Sequence, residues 1–267
     1  MEKTTAPASL TVLVVGATGS IGRLVVEEAL AQGHKVRALV RDVAKARGLP
    51  AQAARVVGDL TRPESLHPAV EGADAIVFTH GSDASSKAAV EAIDYGGVRN
   101  ILAALHGDKR PRIALMTAIG VTNRAGAYNR QTEAHDWKRR GERLVRASGL
   151  HYTIVRPGWF DLNTPDQLRP VFLQGDTRTS GTPRDGVVAR RQIARVLVRS
   201  LCSTQADRKT LELVAEAGVE PLSLDEQFAK LLPDPQGGID GVRDRDNMPL
   251  RDEPKRVLED LARWDRR

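Results

Sequence analysis

The sequence predicts an α/β fold: a parallel sheet with helices packed on both of its faces. Three observations carry this. Short runs nearly continuous in Val, Ile and Leu alternate with stretches of helical periodicity along most of the 267 residues, as strands buried on both faces require. A glycine-rich turn, GATGSIGR at 16–23, stands at the first junction between a run and a helical stretch. Gly33, Gly149 and Gly218 fall just past predicted helix or strand ends, where the chain needs a left-handed turn. One pattern through most of the chain predicts a single domain.

In order, the polar segment MEKTTAPAS (1–9) reads as a flexible leader without an apolar stretch of signal-peptide length. TVLVVG (11–16) is the first strand, and a helix runs from about Ser20 to Gln32. HKVRALV (34–40) leads to a short turn or helix, and ARVVGDL (54–60) to a helix near 63–71. ADAIVFTHG (73–81) precedes a long helix through VEAIDYGGVRNILAAL. RIALMT (112–117) is followed by a loop, NRAGAYNRQ, and then the helix EAHDWKRRGERLVRAS. HYTIVRPG (151–158) and KTLELVA (209–215) complete seven strands. Residues 10–218 thus form the main domain. Residues 219–267 read as a helical segment of the same domain, placed on its substrate side, with short helices in LSLDEQFAKLL and PKRVLEDLARW. The intervening PDPQGGIDGVRDRDNMPLRDEP resembles a calcium loop only superficially. Counted from Asp244, the required glycine and terminal glutamate are missing, so it reads as a surface loop.

Composition narrows the function. A single cysteine, Cys202, forbids an internal disulfide, and no metal-ligand spacing is present; a reducing, cytoplasmic setting is expected. No run approaches a membrane span in length. The net charge of +6 favours anionic ligands, but the basic residues are spread. Arg191, Arg195 and Arg199 recur at helical spacing opposite Ile193, Val196, Leu197 and Leu201, a solvated face over a buried one. Aromatic residues make up only 4% of the chain, too few for stacking platforms, and nucleic acid is not an expected partner.

The glycine turn points to a phosphate. Gly16 can turn tightly as the strand ends, Gly19 admits a pyrophosphate to backbone amides, and Gly22 lets the helix pack closely on the strand. The helix start, Thr18, Ser20 and Ile21 included, then presents its amides and partial positive charge to the ligand. The second strand ends ALVRD. An arginine there accommodates a 2′-phosphate, so Arg41, with Arg23 adding charge, favours NADP over NAD, while Asp42 leaves NAD open.

Taken together, GATGSIGR, ALVRD, VVGDL, DYGGVRNIL and HYTIVRPG resemble, in this order, the atypical short-chain dehydrogenase/reductases. That NAD(P)-binding group includes NmrA-like and flavin-reductase-like proteins. The resemblance covers about residues 10–215 and implies a doubly wound Rossmann sheet of about seven strands. It also implies that Asp59 and Leu60 border the adenine, and that Thr79, His80 and Gly81 line the cofactor ribose. Pro157, Gly158, Trp159 and Phe160 would approach the nicotinamide.

Carbonyl reduction in that superfamily uses a Ser or Thr, a Tyr and a Lys. Thr117 follows the fifth strand where the hydroxyl belongs, and Lys138 stands in register with the lysine, which also holds the ribose. The tyrosine position, four residues before Lys138, is Ala134. Tyr128 and His135 are the available substitutes as proton donor. The leading reading is an NADPH-dependent oxidoreductase acting on a flavin, quinone or carbonyl. The alternative is a non-catalytic NADP-binding sensor with a protein partner. An epimerase-like enzyme on a nucleotide sugar is the weakest of the three, since it would want the same tyrosine.

Overall fold

The computed structural model describes residues 9–105 and 110–264; all but Ser9 of the predicted leader lies outside them. The elements run β1 (Thr11–Val15), α1 (Ser20–Ala31), β2 (Lys35–Val40), β3 (Ala54–Val57), α2 (His67–Val70), β4 (Ala75–Phe78) and α3 (Lys87–Val90). A π-turn, Glu91–Tyr95, joins α3 directly to α4 (Gly96–Ala104). There follow β5 (Arg112–Met116), α5 (Ala127–Thr132), α6 (Ala134–Ala147), β6 (Tyr152–Pro157), β7 (Trp159–Phe160) and β8 (Arg169–Leu173). The last are β9 (Val187–Val188), α7 (Arg190–Cys202), β10 (Lys209–Glu216), α8 (Asp225–Ala229) and α9 (Lys255–Ala262).

The main sheet has the order β3-β2-β1-β4-β5-β6-β10-β8. All seven predicted strands are present and pair in parallel. Successive side chains of a strand face opposite ways, and both faces are covered. Val12 and Val14 join the core under α1 and α7, while Leu13 and Val15 join the one under α4 and α6. The eighth strand, β8, was not expected. It runs antiparallel along β10 with Pro170 opposite Ala215, and a proline is tolerated there because the strand is at an edge. β7 and β9 form a separate two-stranded ribbon.

The chain places β2 and β3 on one side of β1 and β4 to β6 on the other. Such a reversal opens a crevice beyond the carboxyl ends of the central strands, the place where α/β sheets take ligands.

The C-terminal segment adds one thing the sequence did not suggest. The acidic stretch 233–253 is the expected irregular segment with many exposed residues, but it is tied down from inside: Asp234 and Glu253 are buried, and they and their neighbours meet arginines of α6 and β6. Arg139 pairs with Asp240, Arg143 with Asp240 and Glu253, and Arg156 with Asp244.

Candidate functional site

The glycine turn is built as tightly as its spacing suggests. Gly16 has φ +87°, and a Cβ there would lie 2.7 Å from the backbone nitrogen of His80. The Gly19 amide donates to the Gly16 carbonyl at 2.9 Å. A Cβ on Gly22 would come within 2.1 Å of that same carbonyl oxygen, so only glycine lets α1 sit this close to β1. Gly19 differs: a Cβ there meets nothing nearer than the Gly16 oxygen at 3.2 Å, because the residue faces a cleft. The first amides of α1 have no acceptor within their own helix, so the turn and helix start form an anion cradle.

The cleft has a volume of about 720 Å³. Gly16, Thr18, Gly19, Ser20, Ile21, Arg41, Asp59, Leu60, Thr79, His80, Gly81, Thr117, Tyr128, Lys138 and Phe160 all line it. Gly22 lies beneath, and Arg23 is turned back to the carbonyl of Thr18 at 3.0 Å. At the far end of β2, Arg41 faces the cleft while Asp42 is committed elsewhere. The Asp42 carboxylate accepts from the Ala44 amide at 2.8 Å, capping the following turn. Asp59 accepts from the amide and hydroxyl of Thr61, and the amide holds its carboxyl below the usual range.

His80 carries the strongest sign of a ligand. The ring lies largely inside the cleft wall, where Gly97 leaves room for it; both nitrogens are buried, and neither meets a well-formed hydrogen-bond partner among the described residues, although the Ile93 backbone lies beside the ring. Burial, with Lys138 adding to it, pushes its pKa down to about 4 against the pull of Asp94. At neutral pH it is therefore an uncharged imidazole, weakly tied to the Ile93 backbone and otherwise without a polar partner among the described residues. Unpaired buried polar groups are costly, and a bound polar molecule would satisfy this one. The cradle, His80 and Arg41 thus fit a phosphorylated nucleoside.

The three positions expected to serve carbonyl reduction line the same cleft, but Thr117 and Lys138 are engaged with carboxylates. Thr117 donates its hydroxyl hydrogen to Glu142 Oε1 at 2.7 Å, in a fully buried contact. Burial alone would raise the Glu142 carboxyl, but Arg156 and Arg146 hold it below the ordinary range, so it stays an acceptor. Lys138 forms an ion pair with Asp94, which the π-turn aims inward and which also accepts from Ser82. Ala134, at the tyrosine position, opens α6 and lines the cleft with its small side chain.

A second chamber of about 600 Å³ adjoins the first, sharing Ala118, Tyr128 and Phe160. His135, Pro157, Gly158, Trp159, Ile119, Asn123 and Thr179 add to its largely apolar wall, which also includes Asp185. Tyr128 stands on α5 rather than in the predicted loop, half-exposed, with its ring 5.1 Å from that of His135. Burial lowers the His135 pKa, and its Nδ1 has no partner among the described residues. Among the described residues, those of 219–264 line neither chamber; residues 118–185 do so at the second one.

Sequence reasoning missed several residues of this region. Asp176 accepts from the amides of Gly120 and Thr122 and from the Thr122 hydroxyl at 2.6–2.8 Å, fixing the loop that lines both chambers. Asp94, Glu142 and Arg190 were equally hidden. Each acts through a partner distant in sequence, so no local pattern announces it. Among the described residues, no helix is long and apolar enough to cross a membrane.

Comparison with known proteins places this geometry. The profile of an NAD(P)H-binding family matches residues 16–204. The chain is 31% identical over 208 residues to the photosystem II assembly factor Ycf39 of Cyanophora paradoxa, an alignment covering 77% of this chain and 63% of that protein. It therefore spans less than two thirds of that relative's length. It is 29% identical over 210 residues to the uncharacterized sugar epimerase YhfK of Bacillus subtilis, covering 76% of this chain and 92% of that one. Among solved structures, a putative NAD-dependent epimerase/dehydratase from Bacillus halodurans superposes with a TM-score of 0.68 at 22% identity. That match covers 84% of this chain and 100% of the other, and it shows the shared fold.

Proposed function

We propose that this chain, which belongs to the NAD(P)H-binding family of Rossmann-fold, oxidoreductase-like proteins, holds NADP(H) and serves as a nucleotide-loaded regulatory or assembly protein rather than as a carbonyl reductase. One observation carries the reading. A cleft suited to the nucleotide is intact, while the proton-donating apparatus beside it is dismantled: Ala134 replaces the tyrosine, Glu142 occupies Thr117, and Asp94 pairs with Lys138. A relative named as an assembly factor supports it, as does the NmrA-like resemblance.

The choice of NADP rests on Arg41 facing the cleft while Asp42 caps a turn. Arg41→Ala is expected to weaken NADP binding by about ten- to a hundredfold, the range of a charge-assisted contact, and to leave NAD binding nearly unchanged. Calorimetric titration checks this. Equal affinity of the wild type for both nucleotides would overturn the assignment.

A second reading has its own support. The apolar chamber beside Phe160, with the free Nδ1 of His135 in its wall, would admit a flat quinone or flavin, which can take its proton from solvent. One experiment separates the two. Purified protein loaded with NADPH is assayed for nucleotide oxidation with a quinone, a flavin and a simple ketone, and its partners are captured with NADPH or NADP+ present. The regulatory reading expects no turnover above background and a partner retained with one redox state only. Steady turnover without such a partner would establish the enzyme instead.

A further inference from the structure

We propose that Arg190 is a cofactor-binding residue: from the start of α7 it closes over the pyrophosphate of NADP(H) seated on the glycine turn, exchanging its contact with Asp161 for one with phosphate. This rests on the reading of the cleft as an NADP(H) site.

Helix α7 packs along α1, and the two begin side by side. Arg190, the first residue of α7, donates from Nε to the hydroxyl of Ser20, the first residue of α1, at 3.1 Å. Ser20 lines the cleft directly after the glycines. The Arg190 guanidinium carbon lies 5.2 Å from the centroid of the Phe160 ring, which borders both chambers. Arg190 does not itself line the cleft, but it touches two residues that do, Ser20 beside the glycine turn and Phe160.

Need and availability meet here. A pyrophosphate brings two negative charges, yet the described residues that line the cleft near the turn include no cation. Arg23 points back to Thr18, Arg41 stands at the end of β2, and Lys138 is paired with Asp94. Arg190 can supply the charge because it is held loosely. It pairs with Asp161, and the two side chains are 33% and 48% exposed. Such a pair is weak in water. The arginines of α6 and β6 differ, their side chains being at most 8% exposed, and they are not free to exchange. The Nη2 end of Arg190 bonds to no described residue, and a guanidinium fork matches two phosphate oxygens as well as it matches a carboxylate. Asp161 also accepts from the Arg190 amide at 2.9 Å, which keeps the helix start in place when the side chain turns.

The test uses the full chain and titrates NADP+ and NAD+ into the wild type, Arg190→Gln, Arg190→Lys and Arg41→Ala. The pyrophosphate is common to both nucleotides and the 2′-phosphate is not. Arg190→Gln is therefore expected to weaken both by the same factor, about ten- to a hundredfold, with their ratio unchanged. Arg41→Ala is expected to collapse the ratio. Arg190→Lys, which keeps charge and helix propensity but loses the fork, should fall between wild type and Arg190→Gln, and it carries the test should the glutamine variant fold poorly. Wild-type affinities in folded Arg190 variants, or a loss confined to NADP+, would overturn the proposal. A wild type that binds neither nucleotide would instead overturn the reading of the cleft.

Discussion

Arg156→Met is expected to destabilise the protein by about 3–5 kcal/mol, the usual cost of stranding buried charge. Arg156 is fully buried on β6 and bonds both oxygens of Glu142, at 3.0 and 2.6 Å, and both of Asp244, at 2.6 and 2.7 Å. It also reaches Glu212 at 3.4 Å. Removing the guanidinium leaves Asp244 without its buried cation and Glu142 with Arg146 alone, beside the buried carboxyl of Glu212. Adding Glu142→Leu should recover part of the loss, because an apolar replacement for a whole ionic group costs less than half of one left behind. As a control, Lys255→Ala breaks a pair with Glu259 whose side chains are 91% and 59% exposed. That change should cost at most about 0.5 kcal/mol. Urea unfolding midpoints at constant slope measure all three, and a loss below about 1 kcal/mol for Arg156→Met would contradict this account.

The same network sets an acid limit. Burial alone would raise the Asp244 and Glu142 carboxyls, but Arg156 holds Glu142 below its ordinary value and Asp244 well below. A carboxyl depressed in the folded state contributes its full stability above the unfolded pKa of about 4 and loses it as the pH falls further. The melting temperature of the wild type should therefore drop steeply below about pH 4, and the drop should be shallower in Arg156→Met. Glu212 works in the opposite sense. Burial pushes it up to about 7 despite Arg156, so its ionisation removes stability as the pH rises toward neutrality.

What the sequence revealed, and what it hid, follows from the range of the interactions. Strands buried on both faces must be apolar at every position, and β1 and β4 could be read for that reason. Gly16, Gly19 and Gly22 act within one turn, and Arg41 follows its strand directly, so the turn and the lining by Gly16, Gly19 and Arg41 could be anticipated. Helix α6 could not be read this way. Its run AHDWKRRGERLVRA looks like a solvated basic surface, yet eleven of its fourteen residues are buried. The arginines are inside because the acids of 233–253 are inside with them. Neither segment alone carries the signal, and the pairs span about 90 to 110 residues. β8 was hidden differently, by a proline that only an edge position excuses.

Ala134→Tyr is expected to raise NADPH-dependent reduction of a simple ketone by about 10²–10⁴-fold, the contribution of a well-placed general acid. Hydride arrival leaves negative charge on the carbonyl oxygen, and in the wild type no tyrosine stands one helical turn before Lys138 to neutralise it. Ala134 is buried but lines the cleft wall, so a phenol there reaches the cleft only by turning away from the core residues around it. Ala134→Phe fills the same space without a proton and should gain nothing. The size of the tyrosine effect then depends on Lys138. An ammonium lowers the pKa of a neighbouring phenol, but one already paired with Asp94 does so less. Asp94→Asn in the Ala134→Tyr background should therefore raise the rate again and move its pH optimum lower, whereas Asp94→Asn alone should not. Rates are to be compared by steady-state NADPH oxidation among variants of matched thermal stability. The substitutes for the tyrosine are Tyr128 and His135, whose rings are 5.1 Å apart in the second chamber. If the wild type already reduces simple ketones efficiently, and Tyr128→Phe with His135→Gln leaves that rate untouched, the reaction draws its proton from elsewhere and the dismantled constellation has been misread.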